Sequence, residues 1–555
     1  MLRLGFSNNS IDLAIPISGF KNFRNKIAKH FELFLGLILI AISIYSFYYY
    51  YKNGLGIAYN DARSHLDIGR RVVEGLKPGL AQLGSVWLPL PHLLMGVTIW
   101  NDFMWHSGLA GAIISMISFV GVGFLIYLYL RQLKVGVIGR ILGVLVFASN
   151  INILYLQSTA MTELLLLFTM TFAAYELLKW YKNDNILYLI KSAFWIMLAT
   201  LVRYDGWFLL AWVAGLVALR SLSTIIQGRG KDFWANFGEL EGKSFLFLTL
   251  GSFGIALWLL WNLLIFKDPF FFAFGPFSAK AQQDQLQSAG VLQTKHNVLL
   301  SIKFYFYALA YNTGTFTLIF GLVSYVGFLL DKLHTRGLRI ASTALIAPAI
   351  FNIVALYLGH SVLFIQGLSG DTWFNVRYGI MMLPAIAIFL GYVTDRLFPI
   401  RNVIIGLLIF VTVFSFTSYD AVTIDDALVG SSQKNVSEVS GWLKDHATYE
   451  KGYILISAAS HDAIIFSSGL PMKRFIHEGT GLYWKSAIAI PDRWARWIVV
   501  RTYDDNDLTW KGIKENTDAL SKYALVAHFP FADVYELRPE FLGNLHFDED
   551  FKVQK

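Results

Sequence analysis

The chain has no cysteine. That excludes a disulfide framework, a thiolate zinc site and a cysteine nucleophile, although it leaves the redox compartment open. Charge is also scarce. Asp, Glu, Lys and Arg make up 15% of the 555 residues, where soluble domains carry about 25%. No internal repeat or low-complexity segment is evident. No cleavable signal is expected either: about thirty mixed residues precede the first apolar run, and no small-residue cleavage site follows it.

What fills the space is apolar. The chain is 55% hydrophobic and 16% aromatic, with a mean hydropathy of +0.51. A single soluble core could not keep that much apolar surface from water, so the composition points to a polytopic membrane protein. The net charge of +8 would suit nucleic acid, but the positions of the charges argue against it.

Apolar runs place spans at residues 31–50, 107–130, 137–156, 161–180, 186–203, 207–220, 244–266, 312–330, 338–359, 379–395 and 402–418, about eleven in all. The first follows a basic patch (Lys21, Arg24, Lys26, Lys29) and closes on Tyr48 to Tyr51, an interfacial aromatic belt. With the N-terminus inside, alternation puts the basic loops on one side. They hold Arg131, Lys134 and Arg140; Lys179 and Lys182; Arg220, Arg229, Lys231 and Lys243; Lys332, Arg336 and Arg339; and Arg396 and Arg401. That is the positive-inside pattern. It accounts for much of the net charge and removes the nucleic-acid reading.

The expected organisation is a cytoplasmic segment 1–30, an all-α transmembrane domain 31–419 and an extracytoplasmic soluble α/β domain 420–555. In the last, Gly452 to Ile456, Trp497 to Val500 and Ala524 to Ala527 read as strands, and Val436 to Asp445 as a helix. The first outer loop, 52–104, is broken by Pro78, Pro89 and Pro91. It reads as two short helices lying along the membrane surface, the first including Ile68 to Leu76.

On this topology five outward-facing segments bring ionisable groups to one face. They hold Asp61, Arg63, His65, Asp67, Arg70, Arg71 and His92; Glu163; Arg203 and Asp205 in a tight turn; Lys267, Asp268, Lys280 and His296; and Asp371 and Arg377. Ionisable groups at the bilayer boundary are expensive and are functional candidates by default. Carboxylates offer a base for a hydroxyl nucleophile, and arginines offer forked donors for a phosphate. No Cys or His cluster suits a tightly bound transition metal. Each residue also has a plainer reading: Asp61 as a helix N-cap, Arg63 paired with Asp67, and Arg203 with Asp205 as a local ion pair. Likewise Glu163, Arg377 and Tyr378 could be interfacial anchors, His65 and His92 structural, Trp87, Trp207 and Trp373 an interfacial belt, and Glu478 scaffold in the tail.

Several motifs together resemble the GT-C superfamily of polyprenyl-phosphate-sugar-dependent glycosyltransferases, nearest the protein O-mannosyltransferase and lipid A aminoarabinose transferase branch. They are Asn60-Asp61-Ala62-Arg63 after the first span, the interfacial helices, and Met161-Thr162-Glu163 opening the fourth span. Leu201-Val202-Arg203-Tyr204-Asp205-Gly206 also fits, as does Trp261-Asn262 to Asp268-Pro269 with Phe274-Gly275-Pro276. So does Asn375-Val376-Arg377-Tyr378, entering a span that contains Pro384. The resemblance covers residues 1–419.

It implies a GT-C fold and transfer of a sugar from a polyprenyl-phosphate carrier to an acceptor glycan, lipid or protein hydroxyl, with inversion. It implies Asp61 as general base, and Arg63, Arg203, Arg377 and Lys267 as donor-phosphate ligands. Asn60, His65, Glu163, Asp205 and Tyr378 are further site candidates. Family members often carry two adjacent carboxylates where this chain has Asn60 then Asp61, a departure that leaves the acceptor type open. A divalent metal is compatible with the chemistry but not required by it, and no other cofactor is implied. The main alternative is a transporter or flippase of a polyprenyl-linked sugar, which broken spans in two related halves would favour, and the sequence shows no such halves; another is a membrane anchor whose tail is a binding module. An oligosaccharyltransferase would call for a Trp-Trp-Asp-type acceptor motif in the tail, and none is present.

Overall fold

The computed structural model describes residues 17–226, 233–275, 278–288, 290–419, 421–429, 433–504 and 506–546. The expected positions Arg229, Lys231 and Pro276 lie outside the described residues. Helices occupy most of the chain as far as Thr417. Among the described residues, eight stretches are long and apolar enough to cross a membrane, and a bent pair makes up to nine. Two expected spans are shorter than a bilayer needs: Val137–Ala148 has 12 residues and Ile186–Thr200 has 15. Leu37, Phe245, Val323, Val403 and Phe410 are exposed on the outside of the bundle. An apolar girdle of this kind belongs in lipid. Glu163–Asn183 and Val376–Arg396 run through the interior, mostly buried.

Three expectations are corrected. The span 137–156 is broken, because Asn150 caps a new helix, Ile151–Leu156, with Oδ1 accepting from Ile153 N at 3.0 Å. The residues expected to link the spans 244–266 and 312–330 are partly helical: Val298–Thr313 is a helix that turns at Gly314, bending 111° into Thr315–Leu330. Gly314 permits the turn with φ +79. The first helix of the 52–104 stretch runs Asn60–Val73, so it begins on the motif itself and ends before Leu76. Residues Ala62 to Arg70 are all buried, since both faces are covered. Met95 and Ile99 back onto Gly69, and Ser64 meets the C-terminal domain.

That domain has a five-stranded mixed sheet: β1 Tyr453–Ile456, β2 Phe475–Ile476, β3 Ala495–Val500, β4 Tyr523–His528 and β5 Asp533–Leu537. The order is β2-β1-β3-β5-β4, with β1 parallel to β2 and β3, and β5 antiparallel to β3 and β4. Buried apolar runs such as Tyr-Ile-Leu-Ile in β1 suit a parallel strand covered on both faces. β2 and β5 were not expected from the sequence; β2 is two residues long and β5 mixes Asp, Glu and apolar residues. Leu76 from the 52–104 stretch lies in this domain's core with Leu455 and Ile498, so loop and domain form one packed unit.

Gly379 sits where Val376–Met382 backs onto Val298–Thr313: a Cβ there would lie 2.2 Å from the Ala308 carbonyl oxygen. The same carbonyl accepts from Asn312 Nδ2 at 2.8 Å, and Asn312 Nδ2 also reaches Val376 O at 2.7 Å. Backbone against backbone cannot give way easily. We predict that Gly379→Ala lowers stability by about 1–3 kcal/mol, read as a drop in Tm of the full chain in detergent. An unchanged Tm would contradict this packing.

Candidate active site

Asp61 is placed by the start of Asn60–Val73. The N-cap position is Tyr59, in an extended conformation and with no side-chain cap bond. Asp61 therefore is not the cap. It lies in the first turn, where a carboxylate suits the helix dipole. Its side chain is 43% exposed, and its Oδ2 accepts from Arg377 Nη2 at 2.6 Å.

Arg377 is delivered by a left-handed residue, Asn375 (φ +56), whose Nδ2 donates to Val362 O at 3.0 Å. Asparagine tolerates that conformation better than most side chains. The guanidinium is then shared among three acids. Nε donates to Glu163 Oε1 at 3.1 Å, Nη2 to Asp61, and Nη1 lies 3.6 Å from Asp426 Oδ2. Glu163, fully buried at its span's first turn, also takes Arg203 Nη1 at 3.2 Å. Arg203 Nε donates to Asp205 Oδ2 at 3.2 Å. The turn that holds this pair needs glycine at 206, where a Cβ would meet Ala199 O at 2.4 Å. Aromatic faces complete the cradle: Tyr59 lies 4.9 Å from the Arg377 guanidinium, and Tyr378 lies 4.9 Å from that of Arg203.

The cluster thus sets four carboxylates (Asp61, Glu163, Asp205, Asp426) against two guanidiniums. Glu163 Oε2 and Asp205 Oδ1 are buried without a hydrogen-bond partner among the described residues. Two forked donors beside a half-exposed carboxylate can hold an oxyanion and take a proton next to it. Among the described residues, no three His, Asp or Glu side chains converge as metal ligands.

Of the residues singled out in the sequence, Asp61, Glu163, Arg203, Asp205, Arg377 and Tyr378 are brought together. Asn60 adjoins Asp61 in the chain. Arg63 is turned into the protein, with Nε donating to Ile57 O at 2.9 Å, and burial draws its pKa down to about 10. Lys267 is not brought into the cluster: it is exposed, and its Nζ donates to Leu264 O at 3.1 Å. Glu478 accepts from the amides of Ala458 and Ala459, tying down the start of a C-terminal helix. Three site residues escaped the sequence reading. Tyr59 and Asp426 flank Arg377, and Asp462 accepts from Ser64 Oγ at 2.8 Å. Ser64 is one turn from Asp61 on the same helix face. The only sequence signal for Asp426 is the Asp425-Asp426 pair just past the last span.

His65 lies under the cluster, bonded through Nδ1 to His92 Nε2 at 2.8 Å and packed on Trp87. Burial, then the Arg203 and Arg377 charges, lowers its pKa to about 3. His477 is held at about 3 by burial and then by Arg71. His92 is also held well below its usual value, mainly by burial. Unfolded histidine titrates near 6.5. Between about pH 6.5 and 3 the unfolded chain takes up protons that the folded chain refuses, so stability falls as pH falls through that window, by up to about 1.4 kcal/mol per histidine per unit. We predict a steep acid loss of Tm below about pH 6, flattened by His477→Asn, which keeps an acceptor for Gly479 N. If the slope is the same in that variant, the assignment to His477 is wrong.

No protein-family model and no curated protein matches the chain. Among solved structures, ArnT from Cupriavidus metallidurans bound to undecaprenyl phosphate superposes with a TM-score of 0.52 at 12% identity, covering 91% of this chain and 98% of that one. The apo state of ArnT gives 0.51, also at 12% identity and with the same coverage. At that identity the likeness is one of fold: the chain shares with these structures an overall architecture, here a polytopic helical domain followed by a small α/β domain.

Proposed function

We propose that this protein is an integral-membrane glycosyltransferase that moves a sugar from a polyprenyl-phosphate carrier to an acceptor hydroxyl on the outer face, with inversion and with Asp61 as general base. The observation that carries the reading is the cluster itself: a half-exposed carboxylate, 2.6 Å from a guanidinium that is locked to a second guanidinium through buried Glu163. The shared fold with a protein crystallised with undecaprenyl phosphate supports the donor class. The basic loops support an N-terminus in the cytoplasm and a C-terminal domain outside the cell membrane.

In this mechanism the carrier phosphate rests on Arg377 and Arg203. Asp61 takes the proton of the acceptor hydroxyl. The acceptor oxygen bonds to the anomeric carbon from the face opposite the phosphate. The bond from that carbon to the phosphate oxygen breaks, and its electron pair leaves with the polyprenyl phosphate. Asp61 later gives its proton to water. Arg63 and Lys267 would join only after moving, since one is buried and the other lies apart.

A carrier of the same lipid is the second reading, because two broken helices meet inside the bundle: Asn150 Nδ2 and Asn152 Nδ2 both donate to Asn312 O, beside the Gly314 bend. Transporters build sites at such breaks. Purified protein in liposomes, given polyprenyl-phosphate hexoses, separates the two. Release of polyprenyl phosphate with the sugar transferred or hydrolysed supports the enzyme. Movement of intact donor across the bilayer without cleavage would overturn it.

A further inference from the structure

Asp426 belongs to none of the motifs, yet it faces the guanidinium at the centre of the site. The Nε edge of Arg377 is closed by Glu163, whose side chain is fully buried. A phosphate gripping Arg377 in a fork must therefore use the Nη1–Nη2 edge. Asp61 lies on one nitrogen of that edge and Asp426 on the other.

The two acids differ in freedom. The Asp61 side chain is 43% exposed and can swing toward an acceptor; the Asp426 side chain is 2% exposed. The Tyr59 hydroxyl lies 2.9 Å from Asp426 Oδ2 and 2.8 Å from Thr423 O. Thr423 in turn donates through N and Oγ1 to Asn152 Oδ1, at 3.1 and 2.8 Å. Helix Val422–Val429, which joins the last span to the C-terminal domain, is pinned to the bundle at the residues around Asp426. At 3.6 Å from Nη1, Asp426 is beyond hydrogen-bond range. It acts on Arg377 through charge, and it cannot retreat when a phosphate arrives.

We propose that Asp426 is a fixed counter-charge of the donor site, which competes with the carrier phosphate for the Nη edge of Arg377 and keeps the spent polyprenyl phosphate from being held too tightly. The inference rests on the reading of Arg377 as a donor-phosphate ligand. It makes Asp426 a positioning residue for the lipid carrier, supplied by the linker to the C-terminal domain rather than by a membrane motif.

A structural role predicts weaker binding when Asp426 is changed; this proposal predicts the opposite. The test is equilibrium binding of undecaprenyl phosphate to the full chain in nanodiscs. Asp426→Asn, which keeps an acceptor for Tyr59, should bind about tenfold tighter than wild type, as expected for losing one nearby like charge in a partly buried site. Product inhibition of turnover should strengthen in step. Asp426→Glu should stay near wild type. Asp426→Ser removes the same charge with less bulk and serves if the Asn variant does not fold. Wild-type binding that is lost in Arg377→Ala but unchanged or weakened in the neutral Asp426 variants overturns the counter-charge alone. No binding by wild type, or full binding by Arg377→Ala, overturns the donor site and this inference with it.

Discussion

Asp61→Asn is expected to cut transfer from a polyprenyl-phosphate hexose by about 10²–10⁴-fold, the range a positioned general base contributes, while leaving undecaprenyl phosphate bound. The reason is geometric. Asp61 is half exposed and bonds to Arg377 through Oδ2, so Asn keeps the shape and loses only the charge and the basicity. The fold does not depend on that carboxylate as a cap, because Tyr59 holds the N-cap position. Removing a negative charge from the Nη edge should hold the carrier phosphate at least as tightly. Turnover and binding thus part company in one variant. Wild-type turnover in a folded Asp61→Asn protein would remove the base assignment. Lost binding with lost turnover would mean that Asp61 acts in holding the donor.

Arg377→Ala is expected to be the more damaging change. Loss of one pre-organised donor to a reacting anion costs about 10²–10³ in rate, and here the same residue neutralises Asp61, Glu163 and Asp426. Glu163 has no exposed surface and one oxygen already without a hydrogen-bond partner among the described residues. Breaking a buried pair from one side costs about 3–5 kcal/mol, so Tm should fall together with undecaprenyl phosphate binding. The two losses can be separated. Arg377→Met combined with Glu163→Gln removes both charges and should recover much of the Tm, while binding stays lost. Binding that returned with stability in the double variant would show that Arg377 is scaffold and not a phosphate ligand.

Much of the charged cluster was legible because its members sit in short local motifs. Asn60-Asp61, Met161-Thr162-Glu163, the Arg203 turn and Asn375-Val376-Arg377-Tyr378 each mark a helix end, where backbone geometry and an ionisable group coincide. Asp426 and Tyr59 were not legible, since a partner hundreds of residues away leaves no local pattern. The burial of Arg63 was not legible for a related reason. Its spacing to Asp67 and Asp61 says nothing about which helix face packs inward, and the fold buries it with Nε on Ile57 O.

The sequence by itself determined the membrane class and the presence of an α/β tail, because the length of an apolar run, long in a span and short in a buried strand, answers to solvent alone. Tertiary structure decided what single-segment patterns cannot encode. It set the bend at Gly314 and the enclosure of Asn60–Val73. It also set the sharing of one guanidinium among acids from three distant helices. Those depend on which surfaces meet, and a buried charge finds its partner only when the chain brings that partner close enough to replace water.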